Sequence, residues 1–132
     1  AALDYGNGKV GDAPAMAWHD GVLTVTAAEQ LDFVERLRRG ELPIAPEHLA
    51  VVKAAMLEVD QPGLRIYGKT GTSLPESGDG VGWWMGWVET PTGTASFVLE
   101  VELQDLDGRE QRLQLAYRLM RESGLITQLP GA

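Results

Sequence analysis

From Thr26 onward the apolar positions keep helical time. Leu31, Val34 and Leu37 recur at helical intervals until Gly40 supplies a stop. Thr26-Ala27-Ala28-Glu29 has the spacing of a capping box, in which a hydroxyl and a carboxylate each satisfy an otherwise unpaired backbone N–H. A second helix is predicted from Pro46, whose fixed φ suits a first turn. Leu49, Val52, Met56 and Val59 continue it, three and four residues apart, until Pro62-Gly63 breaks the pattern. The period then falls to two. Leu64–Thr70, Gly82–Glu89 and Thr94–Leu103 predict three strands, the last placing Ala95, Phe97, Leu99, Val101 and Leu103 on one face. Thr90-Pro91-Thr92-Gly93 predicts a turn that makes the second and third strands an antiparallel hairpin. Gly108–Ser123 predicts a final helix with Leu113, Ala116 and Met120 on one side and a stop at Gly124.

The resulting order is loop (1–25), helical (26–60), then sheet plus final helix (64–132). It predicts an α+β fold, an antiparallel sheet flanked by helices that cover one of its faces. The glycine-rich first 25 residues read as an extended loop needing something else to pack on. Such a loop is typical of a piece cut from a larger fold.

Composition narrows the function classes. With 132 residues and 44% hydrophobic content, one core is expected. A net charge of −8 argues against a nucleic-acid partner, which needs a basic face to displace counterions from phosphates. The absence of cysteine excludes disulfides, thiolate nucleophiles and cysteine metal sites. His19 and His48 lie far apart in sequence, so no metal site is expected. No apolar run approaches the ~20 residues of a membrane span, and no signal-peptide pattern opens the chain.

The chemistry concentrates at Lys69-Thr70-Gly71. A lysine and a hydroxyl ending a strand, with a glycine that lets a ligand approach the backbone, form a preorganised site for an anionic carbonyl compound. Plainer readings stand beside this one. The tripeptide alone is an ordinary strand end. Arg112 alone is a solvated helix charge, paired with Glu100 or Asp107 and worth ~0–1 kcal/mol. Trp83, Trp84 and Trp87 read as sheet packing, whereas Trp18 lies in a loop. His19 and His48 read as exposed polar residues without a catalytic role.

The order of the motifs outweighs the plain readings. Tyr5-Gly6-Asn7, Trp18, the Glu29-Gln30 helix start, Lys69-Thr70-Gly71, Gly82-Trp83-Trp84-Met85-Gly86-Trp87-Val88-Glu89 and Arg112 follow one another along the chain. In this order and spacing the sequence resembles the class D β-lactamases, the oxacillinase-type serine enzymes, over essentially its whole length. The resemblance implies a partial serine β-lactamase or penicillin-binding transpeptidase-like fold. It implies that Lys69 holds the ligand electrostatically, that Thr70 hydrogen-bonds its carboxylate beside Gly71, and that the Thr72 N–H is an oxyanion-hole donor. Arg112 is then the arginine that pairs with the substrate carboxylate. Trp18 steadies a carboxylated lysine, the general base, and Tyr5, Gly6 and Asn7 carry a motif that is partly architectural.

The departures matter equally. The family's serine–x–x–lysine nucleophile motif and the serine–x–valine or –isoleucine motif after it are absent, and no serine here has a lysine three residues on. The resemblance therefore implies the C-terminal half of a β-lactam hydrolase, with nucleophile and base outside these residues. No cofactor is implied beyond carbon dioxide bound as that lysine's carboxylate. The implied partners are a β-lactam and either a second copy or a complementing N-terminal half, and the implied location is periplasmic or secreted. Two other readings stay open, a β-lactam-sensing receptor domain and an inactive fragment. His19, in place of a leucine, alters packing over the base. Glu100 and Glu102, in place of asparagine and aspartate, alter sheet polarity.

Overall fold

The computed structural model describes residues 5–12, 17, 21–73, 79–103 and 108–131. Among them are three helices, α1 (Ala27–Arg39), α2 (Pro46–Met56) and α3 (Arg109–Glu122). Four strands complete the fold, β1 (Leu57–Gln61), β2 (Leu64–Ser73), β3 (Gly80–Thr90) and β4 (Gly93–Leu103). The sheet is antiparallel, in the order β1-β2-β3-β4.

Helix α1 begins and ends as its sequence predicts. The Thr26 side chain accepts from the Glu29 N–H, the Glu29 carboxylate accepts from the Thr26 N–H, and Gly40 closes the helix in the left-handed region at φ 73°. Helix α2 departs from prediction. It stops at Met56, and Leu57–Gln61, read as its continuation to Val59, forms β1 against Leu64–Tyr67. Among the described residues the sheet therefore has four strands where three were expected. Pro62-Gly63 turns β1 back on β2, and the ladder gained there outweighs one more helical turn.

A second difference concerns the faces. Trp84 and Trp87 on β3 are 0% and 1% exposed and point to opposite sides of the sheet, so both sides need cover. Helix α3 covers one, packing Leu113, Ala116, Tyr117 and Met120 on Leu64, Ile66, Trp84 and Val88. Helices α1 and α2 cover the other, with Val34, Leu37 and Met56 against Trp87, Tyr67 and Met85. Two facing glycines permit this. Gly68 and Gly86 pair across β2 and β3, and a Cβ on Gly68 would stand 2.3 Å from Trp84 Nε1, one on Gly86 1.8 Å from the Tyr67 carbonyl oxygen.

Candidate functional site

Strand β1 covers only the first part of β2. It pairs with Leu64–Tyr67, so among the described residues the edge of Gly68–Ser73 opposite β3 has no strand partner. Lys69-Thr70-Gly71-Thr72 lies in that stretch, where backbone N–H and C=O groups remain open to a ligand. The strand continues three residues past the predicted end at Thr70, which places Thr72 on the sheet ladder opposite Gly82. A backbone held by a ladder is the rigid kind of donor an oxyanion site requires.

Arg112 enters from α3. Its side chain belongs to a residue only 3% exposed, against the solvated-charge reading. Nη1 donates to the carbonyls of Gly71 (2.7 Å) and Trp83 (3.1 Å), and Nη2 donates to Thr72 Oγ1 (3.0 Å). Neither an ion pair nor a hydrogen bond links it to Glu100, and Asp107 lies outside the described residues. Burial pulls its pKa below the ordinary guanidinium value, with the Arg109 charge adding to the effect, yet an arginine stays protonated. The guanidinium thus clamps β2 and β3 together beside the Thr72 backbone. Gly82 makes the room, since a Cβ there would lie 3.0 Å from Arg112 Cζ and Nη1.

The side chains of Lys69 and Arg112 leave β2 on opposite faces. Lys69 is exposed, donates to the Thr70 carbonyl, and lines a cavity on the α1/α2 side. Thr72, joined to Arg112, belongs to the α3 side, and alternation puts Thr70 there as well. The single wall expected from the sequence is therefore the end of a strand, with the lysine on one side and the guanidinium on the other.

The tyrosine–glycine–asparagine motif is an anchor for its loop. Asn7 Nδ2 donates to the Val22 carbonyl (3.0 Å) and Thr24 Oγ1 (2.9 Å), and its backbone N–H to the Thr24 carbonyl (2.9 Å). Gly6 sits at φ +53°, where a Cβ would stand 2.2 Å from the Thr24 carbonyl oxygen. The Tyr5 hydroxyl donates to Gln30 Oε1, and its ring meets Phe33 edge-on at 5.2 Å. Burial, with the nearby Glu29 charge, pushes the Tyr5 phenol pKa up against the pull of Gln30. Trp18 and His19 lie outside the described residues, and His48 is exposed.

Two cavities flank these groups on the α1/α2 face. One, of ≈450 Å³, has Tyr5, Gln30, Gly71, Thr72, Ser73 and Trp83 among its walls. The other, of ≈510 Å³, is almost wholly apolar, walled by Phe33, Val34, Ile44, Val52 and Met85 with Lys69 at the side. Gln30 and Met85 belong to both and divide them; Gln30 Nε2 touches Met85 Sδ. Sequence reasoning gave Gln30, Trp83 and Met85 no role in a site. Gln30 occupies a buried position of α1 that apolar periodicity skips, and the only signal was a polar residue in helical register with Val34 and Leu37. Among the described residues no group of three or more His, Cys, Asp or Glu could hold a metal, and no helix is long and apolar enough to cross a membrane.

Comparison with known proteins follows the same lines. Residues 2–121 match the family model of the penicillin binding protein transpeptidase domain. The chain is 37% identical over 113 residues to the β-lactamase OXA-20 of Pseudomonas aeruginosa, covering 82% of this chain and 40% of that protein. It is 31% identical over 126 residues to OXA-5 of the same organism, covering 94% and 47%. Among solved structures, FUS-1 (OXA-85), a class D β-lactamase from Fusobacterium nucleatum subsp. polymorphum, superposes with a TM-score of 0.84 at 26% identity, covering 95% of this chain and 52% of that one. The class D β-lactamase of Bacillus subtilis gives 0.79 at 30% identity, covering 94% and 50%. The chain thus spans about half the length of the relatives it matches. The family match over residues 2–121 and these likenesses agree, and the chain belongs to the penicillin-binding protein transpeptidase domain family, with class D β-lactamases as its relatives.

Proposed function

We propose that the complete protein hydrolyses β-lactams through an acyl-enzyme, and that these 132 residues supply the binding and oxyanion side of its site. The observation that carries this reading is the open edge of β2 at Lys69–Thr72, pinned from behind by Arg112 and bordered by a cavity of ≈450 Å³. In this mechanism a serine outside the chain attacks the lactam carbonyl carbon. The C–N bond of the ring breaks, nitrogen takes up a proton, and the Thr72 N–H stabilises the negative oxygen of the tetrahedral intermediate. Lys69 attracts the anionic ligand, and Thr70 and Arg112 define where its carboxylate sits. Water then attacks the ester and releases the ring-opened acid.

The general base is a lysine carboxylated by carbon dioxide, also outside this chain, with Trp18 steadying the carboxylate. No described residue holds that group. The apolar cavity of ≈510 Å³ is suited to receive the complementing N-terminal half, whose serine–x–x–lysine segment would then lie beside Lys69. Export to the periplasm or outside the cell is part of the same proposal. The named relatives are hydrolases, which favours an enzyme over a receptor domain.

Intact-mass spectrometry of the full-length protein with benzylpenicillin tests the reading. A penicillin-sized adduct that decays as ring-opened product accumulates is expected. An unmodified mass with no loss of penicillin overturns it.

A further inference from the structure

The two cavities on the α1/α2 face differ in charge. Lys69 borders the apolar one, whereas among the described residues of the other Glu100 is the sole side chain charged at neutral pH. Glu100 is exposed on β4. It pairs in register with Trp83, which pairs with Gly71, so the three form one row across the sheet. With ~4.8 Å between neighbouring strands, Glu100 stands ~10 Å from Gly71. Trp83 is only half-buried and shares the cavity, unlike the fully buried Trp84 and Trp87.

A carboxylate beside an indole, in a cavity otherwise lined by neutral groups, is a recognition site for an ammonium. The carboxylate contributes an ion pair and the ring face a cation–π attraction. We infer that Glu100, together with Trp83, selects β-lactams that carry a cationic amino group on the acylamino side chain. The inference rests on the proposed function. A ligand whose carboxylate lies near Thr70–Thr72 and whose carbonyl meets the Thr72 N–H extends its side chain along the row toward Glu100. The α1/α2 face then carries opposite charges at its two ends, Lys69 at the strand end and Glu100 across the row, matching a zwitterionic substrate. That complementarity also disfavours side chains ending in a second carboxylate, by repulsion at the far end.

The test compares ampicillin with benzylpenicillin, which differ by one α-amino group, on full-length wild type, Glu100→Gln and Glu100→Lys. The readout is the ratio of kcat/KM for ampicillin to that for benzylpenicillin. Because the carboxylate is exposed, the ratio is expected to fall about three- to tenfold in Glu100→Gln and further in Glu100→Lys, with Glu100→Asp retaining most of it. It should also decline in wild type as pH rises through the titration of the ampicillin amine. Turnover of both penicillins with an unchanged ratio in Glu100→Gln and Glu100→Lys overturns the inference and leaves the proposed function standing. Failure of wild type to be acylated by either overturns both.

Discussion

Truncating Arg112 tests whether its guanidinium holds the strand end. Arg112→Ala removes the three contacts of 2.7, 3.0 and 3.1 Å to β2 and β3, together with a longer one of 3.4 Å from Nε to the Gly108 carbonyl, and leaves the Gly71 and Trp83 carbonyls without that donor in a buried setting. Hydrogen bonds to a charged group contribute ~1.5–3 kcal/mol each. The desolvation that lowers the arginine's pKa offsets part of their sum. A net loss of ~3–5 kcal/mol follows, the range for disrupting a buried charged site. At ~2–4 °C per kcal/mol, the Tm of the full-length protein should fall by roughly 10 °C. Gly82→Ala perturbs the same group without deleting it. Its Cβ would stand 2.8 Å from Leu103 Cδ1 and 3.0 Å from Arg112 Cζ, both side-chain atoms able to give way, so a smaller loss of ~1–3 kcal/mol is expected. Thermal unfolding by circular dichroism is read alongside the rate of penicillin acylation. An Arg112→Ala protein whose Tm stays within ~2 °C of wild type would refute the clamp. If acylation were lost in that protein, the guanidinium would serve the ligand and not the strand.

Two other perturbations test the supports of the sheet. Gly86→Ala would drive a Cβ to 1.8 Å from the Tyr67 carbonyl, a backbone atom that cannot yield, so no soluble, cooperatively unfolding protein should be recovered; a wild-type-like melt would show that the strands are farther apart than described. Glu35 ties α1 to β4: Ser96 Oγ donates to it at 2.7 Å and Arg38 at 2.7 Å, and these bonds hold its carboxyl pKa below the ordinary value. A depressed folded-state pKa contributes stability above the unfolded value and loses it as pH falls through the folded one. Ser96→Ala removes the largest cause, so the acid-unfolding midpoint should move to higher pH, and coincident acid titrations of the two proteins would contradict the link.

Much of this architecture was legible because local chemistry and tertiary structure agree. The Thr26–Glu29 box and Gly40 bound α1 whatever surrounds it, and the turn at Pro91-Thr92 leaves β3 and β4 little choice of partner. Leu57–Gln61 was misread because Val59 lies three residues after Met56 and fits either period; pairing with Leu64–Tyr67, invisible locally, decides it. Cover on both faces was missed for a related reason. Two tryptophans three apart on a strand must face opposite ways, but the alternation in β4 suggested a single buried face. Arg112 was hardest, since a charged residue on a helix reads as solvated until its acceptors are known. Gly82, the glycine that leaves space for the guanidinium, carried that information without a visible partner. For the Lys69–Gly71 site the motif marked the strand, whereas the open edge follows from how short β1 is.

The sheet's layout also bears on how the molecule comes to be. Its strands are neighbours in space in the order in which they occur in sequence. The β1–β2 and β3–β4 connections are tight turns, so pairing each hairpin closes only a small loop and loses little chain entropy. Hairpins of this kind form in ~1–10 μs, and folds dominated by such local contacts are the fast ones. The Tyr5-Gly6-Asn7 anchor is different, because Asn7 must find Thr24 and Tyr5 must find Gln30 after α1 is in place. The two tight hairpins are thus the parts of the sheet whose assembly depends least on residues distant in sequence, whereas the strand end at Lys69–Thr72 pairs across the longer β2–β3 connection and is fixed by Arg112 from α3.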